Sequence, residues 1–206
     1  MNIMQIGCHE GNDKVSSFLS ANKKHLSKIL LIDASSLALA KAKKFYKDGY
    51  EIFFRNVAVV NTEETEVDIF YQLNEENVPR SNCSVLQSHV ESHKKIEDLQ
   101  ELQNSKKIER QRVTSTRINN LLDYFDGEYI DRLYIDVEGL DCQIIDDINL
   151  FKYDIGYIKF EYIHSDGTFQ TNGAVLKRTV NRLISFGYSI FPDPNSGEDL
   201  IALKNI

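Results

Sequence analysis

Cysteine is scarce in this chain, and its placement is uninformative for staples. Cys8, Cys83 and Cys142 are odd in number, far apart, and form no C-x-x-C pair. That pattern excludes a disulfide framework and a structural zinc site, and it points to a reducing compartment. Proline occurs three times and forms no Pro-rich linker. No apolar run approaches the ~20 residues that a membrane helix needs. The opening residues, MNIMQIGCHEG, carry no basic segment ahead of an apolar one. A secretory signal is therefore not expected, and the expected location is cytoplasmic. Positive charge is also short: 24 Lys and Arg stand against 31 Asp and Glu, a net charge of -7. An acidic chain repels phosphate backbones. The one dense basic stretch, Lys106, Lys107, Arg110 and Arg112, is interrupted by Glu109, so nucleic-acid binding is not expected.

What remains is an ordinary globular composition, 42% hydrophobic and 27% charged over 206 residues. A chain of this length buries enough surface to hold a core without staples. One domain spanning 1–206 is expected.

Along the chain, short apolar runs alternate with stretches of helical spacing. Strands are predicted at Asn2–Ile6, Lys28–Asp33, Glu51–Arg55, Leu133–Val137 and Ile155–Tyr162. Helices are predicted at Asn12–Asn22, from Ser35 or Ser36 to about Asp48, at Ile118–Phe125, Leu140–Asp147 and Asn172–Phe186. Asn12 or Asp13 would cap the first helix, and Gly49 would stop the second. Val57–Val60 and Glu66–Tyr71, joined by the turn 61–64, read as an antiparallel hairpin. Residues 72–112 are polar, with helical spacing from Val90 to Leu102, and read as an insertion or lid. Tyr188–Phe191 and Asp199–Lys204 read as a closing hairpin. Repeated βα units imply an α/β fold, a doubly wound, mostly parallel sheet with an antiparallel edge.

In such sheets ligands sit beyond the carboxyl ends of the strands. The first strand runs into Gly7-Cys8-His9-Glu10-Gly11 directly before a helix, whose N-terminus offers free N–H groups. This is G-x-x-x-G, not the dinucleotide G-x-G-x-x-G. Asp33 ends the second strand, 22 residues after Gly11. It could accept ribose hydroxyls or cap the next helix. Asp136 and Glu138 share a strand parity at the end of a central strand, where two acids are costly unless they bind or catalyse something. Glu161 ends the following strand and His164 follows it; the pair could orient or deprotonate a hydroxyl. His89 and His93 stand i, i+4 on a probable helix, but the order is not H-E-x-x-H, so no metal is assigned there. Cys8 is close to a helix N-terminus, yet small-residue packing is the simpler role.

These residues resemble the FkbM-type methyltransferases, a branch of the S-adenosylmethionine-dependent Rossmann-like class. Gln5-Ile6-Gly7-Cys8-His9-Glu10-Gly11 stands for that family's D-V-G-A-N-x-G, and Asn56-Val57-Ala58 for its N-x-A. Leu133-Tyr134-Ile135-Asp136-Val137-Glu138-Gly139-Leu140-Asp141 stands for l-K-I-D-V-E-G-x-E, and Leu183 to Tyr188 for the closing L-x-x-x-G-Y. Gln5, His9 and Tyr134 depart from the pattern. The resemblance implies a class I methyltransferase fold with a seven-stranded sheet and a reversed final hairpin. It implies S-adenosylmethionine as cofactor, held by Gly7, Cys8, His9, Glu10, Gly11, Asp33, Ala34, Asn56 and Asp136, with Ser84–Ser88 near the adenine. Asp136, Glu161 and His164 would be catalytic, and 72–112 would be the acceptor lid. The implied activity is O-methylation of a sugar, glycan or other small polyol or natural product. The implied partner is that acceptor, with no nucleic acid and no membrane span; a homodimer is left open. A Mg²⁺-assisted variant through Asp136 with Glu161 or His164 is a lesser option. A catalytically silent binding scaffold is the alternative, ahead of a nicotinamide oxidoreductase.

Overall fold

The computed structural model describes residues 1–46, 52–73, 79–80, 82–99, 107–166 and 173–205. The expected helix stop at Gly49, the strand start at Glu51 and the helix start at Asn172 lie outside them. Five strands form the parallel part of one sheet: β1 (Ile3–Ile6), β2 (Ile29–Asp33), β3 (Ile52–Asn56), β7 (Arg132–Ile135) and β8 (Tyr157–Glu161). Two more, β9 (Tyr188–Pro192) and β10 (Asp199–Lys204), close it. The order is β3-β2-β1-β7-β8-β10-β9, and β10 runs antiparallel to both β8 and β9. The doubly wound sheet with an antiparallel C-terminal hairpin is therefore as expected. Strand order reverses between β1 and β7, so the carboxyl ends of these two strands flank the natural ligand crevice.

Alternation places each face of the sheet in its own core. Met4, Ile6, Leu30, Ile32, Leu133 and Ile135 point to one side, where Phe125, Ile144 and Ile145 meet them. Ile3, Ile29 and Leu31 point to the other, against Val15, Leu19 and Leu39. Both faces of β1 and β2 are buried, which is why these strands read as unbroken apolar runs.

The helices that begin at the crevice are firmly capped. In α1 (Lys14–Ala21), Asp13 Oδ1 accepts the Ser16 amide at 2.8 Å and the Ser16 hydroxyl accepts the Asp13 amide at 3.2 Å, a capping box. In α2 (Ser36–Phe45), Ser35 Oγ accepts the Ala38 amide at 3.2 Å. The rest of the chain supplies α4 (Ile118–Leu122), α5 (Asp141–Asp147) and α6 (Ala174–Ser185).

The expected hairpin of Val57–Val60 with Glu66–Tyr71 is not what forms. A separate three-stranded sheet has the order β4-β6-β5, where β4 is Ala58–Val59, β5 is Glu66–Tyr71 and β6 is Glu109–Thr116. Strand β6 pairs parallel with β4 and antiparallel with β5. Its charge is matched across the ladder: Arg110 reaches Asp68 at 2.9 Å and Arg112 reaches the same carboxylate at 3.6 Å. Residues 109–112 of the polar stretch thus begin a strand that their composition conceals. The same stretch contains α3 (Gln87–Leu99), whose own His89 and Val90 are buried.

Candidate active site

The chain leaves β1 through a loop whose backbone is over-determined. Gly7 sits at φ +80°, and its amide donates to Ile32 O at 2.9 Å. His9 is held in the left-handed region, at φ +43°, which a non-glycine residue adopts only at a cost. Two contacts fix it. Its amide donates to Asp33 Oδ2 at 2.7 Å, and its ring Nε2 lies 2.9 Å from Pro79 O. Asp33 Oδ1 accepts the Ser35 amide at 2.8 Å. So Asp33 braces the loop rather than capping α2, and each carboxylate oxygen still has acceptor capacity. Desolvation raises its pKa, offset in part by those same two amides.

A cleft opens beside this loop. Gly7, His9, Asp33, Ala34 and Asp136 line it, with apolar walls from Val57, Val59, Ile69, Val85 and Leu140. The other expected cofactor residues take different places. Cys8 is wholly buried in the α1-side core, and burial, then Asp33 and Asp13, push its thiol far up, so it packs rather than reacts. Glu10 pairs with Lys41 of α2 at 2.9 Å. Asn56 donates to the Asp33 and Ala34 carbonyls, both at 2.9 Å, and so fixes the ends of β2 and β3. Gly11 at φ +78° turns the chain toward α1. Ser84, expected near the adenine, does line the cleft and donates to Glu138 O at 2.8 Å.

A second cleft adjoins the first, and Asp136 and Glu138 line both. Its floor includes Gln5, Tyr134, Lys159 and Glu161, and its rim includes Asp193 to Ser196. Gln5 donates to Asp13 Oδ2 at 2.6 Å, so this departure from the family pattern is tied to the α1 cap. Lys159 bonds Asp193 at 2.6 Å and Asp199 at 2.8 Å, which ties β8 to the terminal hairpin. Sequence reading missed this trio because its members lie 34 and 40 residues apart in the sequence numbering.

Asp136 and Glu138 do not keep the expected common parity. Strand β7 ends at Ile135, and Glu138 turns over at φ +57°. Asp136 stays open to water within the cleft walls; crowding by those walls, then Asp199 and Asp13, raise its carboxyl to about 6. Glu138 instead meets His89, whose Nε2 lies 3.0 Å from Glu138 Oε2. His164 Nε2 lies 3.3 Å from Glu161 Oε1, and the His89 and His164 rings stack edge-on at 4.9 Å. Glu161 and His164 are therefore together, as expected, and His89 joins them. Atoms of Glu138, Glu161 and His164 that could ligate a metal all lie within 4.8 Å of one another.

This cluster should show in the pH dependence of folding. Burial, then Glu138, Asp141 and Asp136, push the Glu161 carboxyl up to about 11. Burial and then Asp136 push Asp141 to about 7. Burial lowers both histidines to about 4, with His164 and then His93 adding to the effect on His89, and His93 to that on His164. Raised carboxyls hold protons that the unfolded chain has lost, so their contribution falls as pH rises through the folded values. Lowered histidines act oppositely, but only up to their unfolded pKa near 6.5. Below that the two effects oppose each other; above it only the carboxyls act. The melting temperature should fall by several degrees between pH 6.5 and pH 8.5, where only the raised carboxyls act. Each retained proton is worth about 1.4 kcal/mol per pH unit. Thermal melts at three pH values check this; a flat profile would mean that Glu161 is ionised in the folded chain.

A family model, the methyltransferase FkbM domain, matches residues 3–190. Comparison with curated protein sequences finds no match. Among solved structures, the methyltransferase FkbM from Methylobacillus flagellatus KT superposes with a TM-score of 0.54 at 10% identity, over 98% of this chain and 43% of that one. Fibrillarin from Aeropyrum pernix, in complex with natively bound S-adenosyl-L-methionine, gives a TM-score of 0.47 at 12% identity, over 98% of this chain and 64% of that one. The ribosomal protein L11 methylase from Lactobacillus delbrueckii subsp. bulgaricus gives 0.43 at 10%, over 99% and 70%. The chain thus spans 43% and 64% of the first two structures, and its likeness to the Methylobacillus flagellatus protein is one of fold.

Proposed function

The chain belongs to the FkbM methyltransferase family, and on that premise we propose that it methylates a hydroxyl oxygen of a sugar, glycan or other small polyol. S-adenosylmethionine is the cofactor of this family. The first cleft suits it: apolar walls for a flat base, and the Asp33 carboxylate with lone pairs left for two ribose hydroxyls. One observation carries the reading. Two clefts at the carboxyl ends of the strands meet at Asp136 and Glu138, and of these two carboxylates Asp136 is the more open to water.

When bound, the cofactor supplies a methyl group on a sulfonium sulfur, an electrophile that needs alignment more than activation. The protein's task is then placement and charge. Asp33 holds the ribose, and the His9 backbone N–H on Asp33 keeps that carboxylate from swinging. Asp136 would present a negative charge to the cofactor's sulfonium. Being ionised above about pH 6, Asp136 also takes the acceptor's proton as its oxygen gains the methyl. Glu161 and His164, paired on the floor beside it, orient that hydroxyl. Of the polar stretch, residues 82–99 would border the acceptor, held near the cleft by the Ser84 hydroxyl on Glu138 O, with Pro79 O on the His9 ring beside them.

Calorimetry with S-adenosylhomocysteine tests the cofactor half. Wild type should bind in the micromolar range. Asp33→Ala should bind at least ~10-fold more weakly, since a hydrogen bond to a charged group is worth about 1.5–3 kcal/mol. Equal affinities would remove Asp33 from the ribose site.

A further inference from the structure

We propose that Glu138, Glu161 and His164 form a binding site for a first-row divalent transition metal ion at the junction of the two clefts. The site stands on geometry; its task, anchoring the acceptor hydroxyl beside Asp136, rests on the methyl-transfer reading above.

Three side chains from two different strand ends converge. Glu138 follows β7, while Glu161 and His164 lie at and after the end of β8. Their candidate ligand atoms lie within 4.8 Å of one another, so side-chain shifts of well under an ångström bring the widest pair inside the ~4.4 Å that one cation spans at bond lengths of ~2.0–2.2 Å. The Glu161 side chain is 9% exposed, and its Oε2 is buried with no hydrogen-bond partner. A buried carboxyl oxygen without a partner is costly and calls for a ligand that meets it. His89, wholly buried on α3, stands behind Glu138 at 3.0 Å and orients it. An imidazole or carboxylate behind a first ligand is the usual support of a metal site.

The donor set chooses the metal. One imidazole nitrogen with two carboxylate oxygens is a mixed set, suited to Mn²⁺, Fe²⁺ or Zn²⁺. Mg²⁺ prefers oxygen alone and keeps several waters, which sets this site apart from the Mg²⁺ variant considered from sequence. No cysteine belongs to the cluster: Cys8 and Cys142 are buried in the cores, and Cys83 lines the first cleft outside the group of three ligands. Three protein ligands leave open positions on the ion, where an acceptor hydroxyl or a vicinal pair of hydroxyls could coordinate.

The test is Mn²⁺ binding to the chelator-treated full chain, followed by electron paramagnetic resonance of the free ion, with Zn²⁺ as competitor. One Mn²⁺ per chain should bind at micromolar concentration and be displaced by Zn²⁺. Glu161→Gln and His164→Ala should each weaken binding by more than ~100-fold, beyond the 10–100-fold typical of a supporting residue. Pulsed resonance on wild-type protein should show coupling from one imidazole nitrogen, a readout independent of how the variants fold. Millimolar binding unaffected by either substitution, or bound Mn²⁺ without nitrogen coupling, would overturn the site. S-adenosylhomocysteine binding is measured on the same protein. Cofactor binding without metal binding refutes this site alone, and metal binding without cofactor binding refutes the methyl-transfer reading alone.

Discussion

Gly7→Ala is expected to cost about 4 kcal/mol of folding stability or more, at the far end of what single substitutions do. The reason is a backbone contact. A Cβ built on Gly7 lands 1.7 Å from the carbonyl oxygen of Asp136. Neither partner can step aside. The Gly7 amide is bonded to Ile32 O, and the Asp136 amide donates to Ile6 O at 3.0 Å, so the clash lies inside the β2-β1-β7 ladder. Relief requires β1 and β7 to part at the point where the sheet carries its ligand crevice.

Two other glycines separate this clash from the cost of a left-handed backbone. Gly127, at φ +77°, has nothing within 4 Å of an added Cβ, so Gly127→Ala should cost only the conformational penalty, about 1 kcal/mol. Gly11, at φ +78°, would bring a Cβ to 2.8 Å from Tyr46 Cε2 and 3.3 Å from Ala42. A ring edge can yield where a carbonyl in a ladder cannot, so Gly11→Ala should fall between, at about 1–3 kcal/mol. Urea midpoints for the three variants give the order directly. Gly7→Ala as stable as Gly127→Ala would mean that the loop does not press on β7 as described.

The parts of this molecule that are legible in its sequence are those whose cause is local. Ile29–Asp33 reads as a buried strand because both its faces enter a core. Asp13 and Ser35 read as caps because a short polar side chain before an apolar helix has few other uses. Asp33 is legible as important, but not its double hold on His9 and Ser35, since the left-handed turn at His9 has no glycine to announce it. Strand β6 is concealed by its polarity: Glu109, Arg110, Gln111 and Arg112 resemble a solvated insertion. Only the partner strand, with Asp68 placed between two arginines, makes that sequence a strand. His89 is hidden for the opposite reason. Its helical spacing to His93 is visible, but its working partner Glu138 lies 49 residues ahead and is brought to it by tertiary packing.

Asp136→Asn should lower kcat/KM at least ~1,000-fold, about 4 kcal/mol of transition-state stabilisation, while leaving the fold intact. Asn keeps the size of the side chain and removes its charge, so the backbone contact to Gly7 is untouched. The neighbours make the charge costly in the free protein: Asp199 and Asp13 both raise the Asp136 carboxyl. Melting temperature at pH 7.5 should therefore hold or rise in the variant, whereas an essential structural carboxylate would drag it down. The wild-type rate should climb as pH increases through about 6, where Asp136 ionises, and the variant should lose that limb. Binding offers a test that needs no acceptor. S-adenosylmethionine carries a sulfonium charge that S-adenosylhomocysteine lacks. An anion placed against that charge must favour the first over the second, and its removal must erase the preference. Asp136→Asn should weaken S-adenosylmethionine about 10-fold, near 1.4 kcal/mol, and change S-adenosylhomocysteine little. Equal weakening of both ligands would show that Asp136 serves the shape of the cleft, and the proton-accepting role would pass from it.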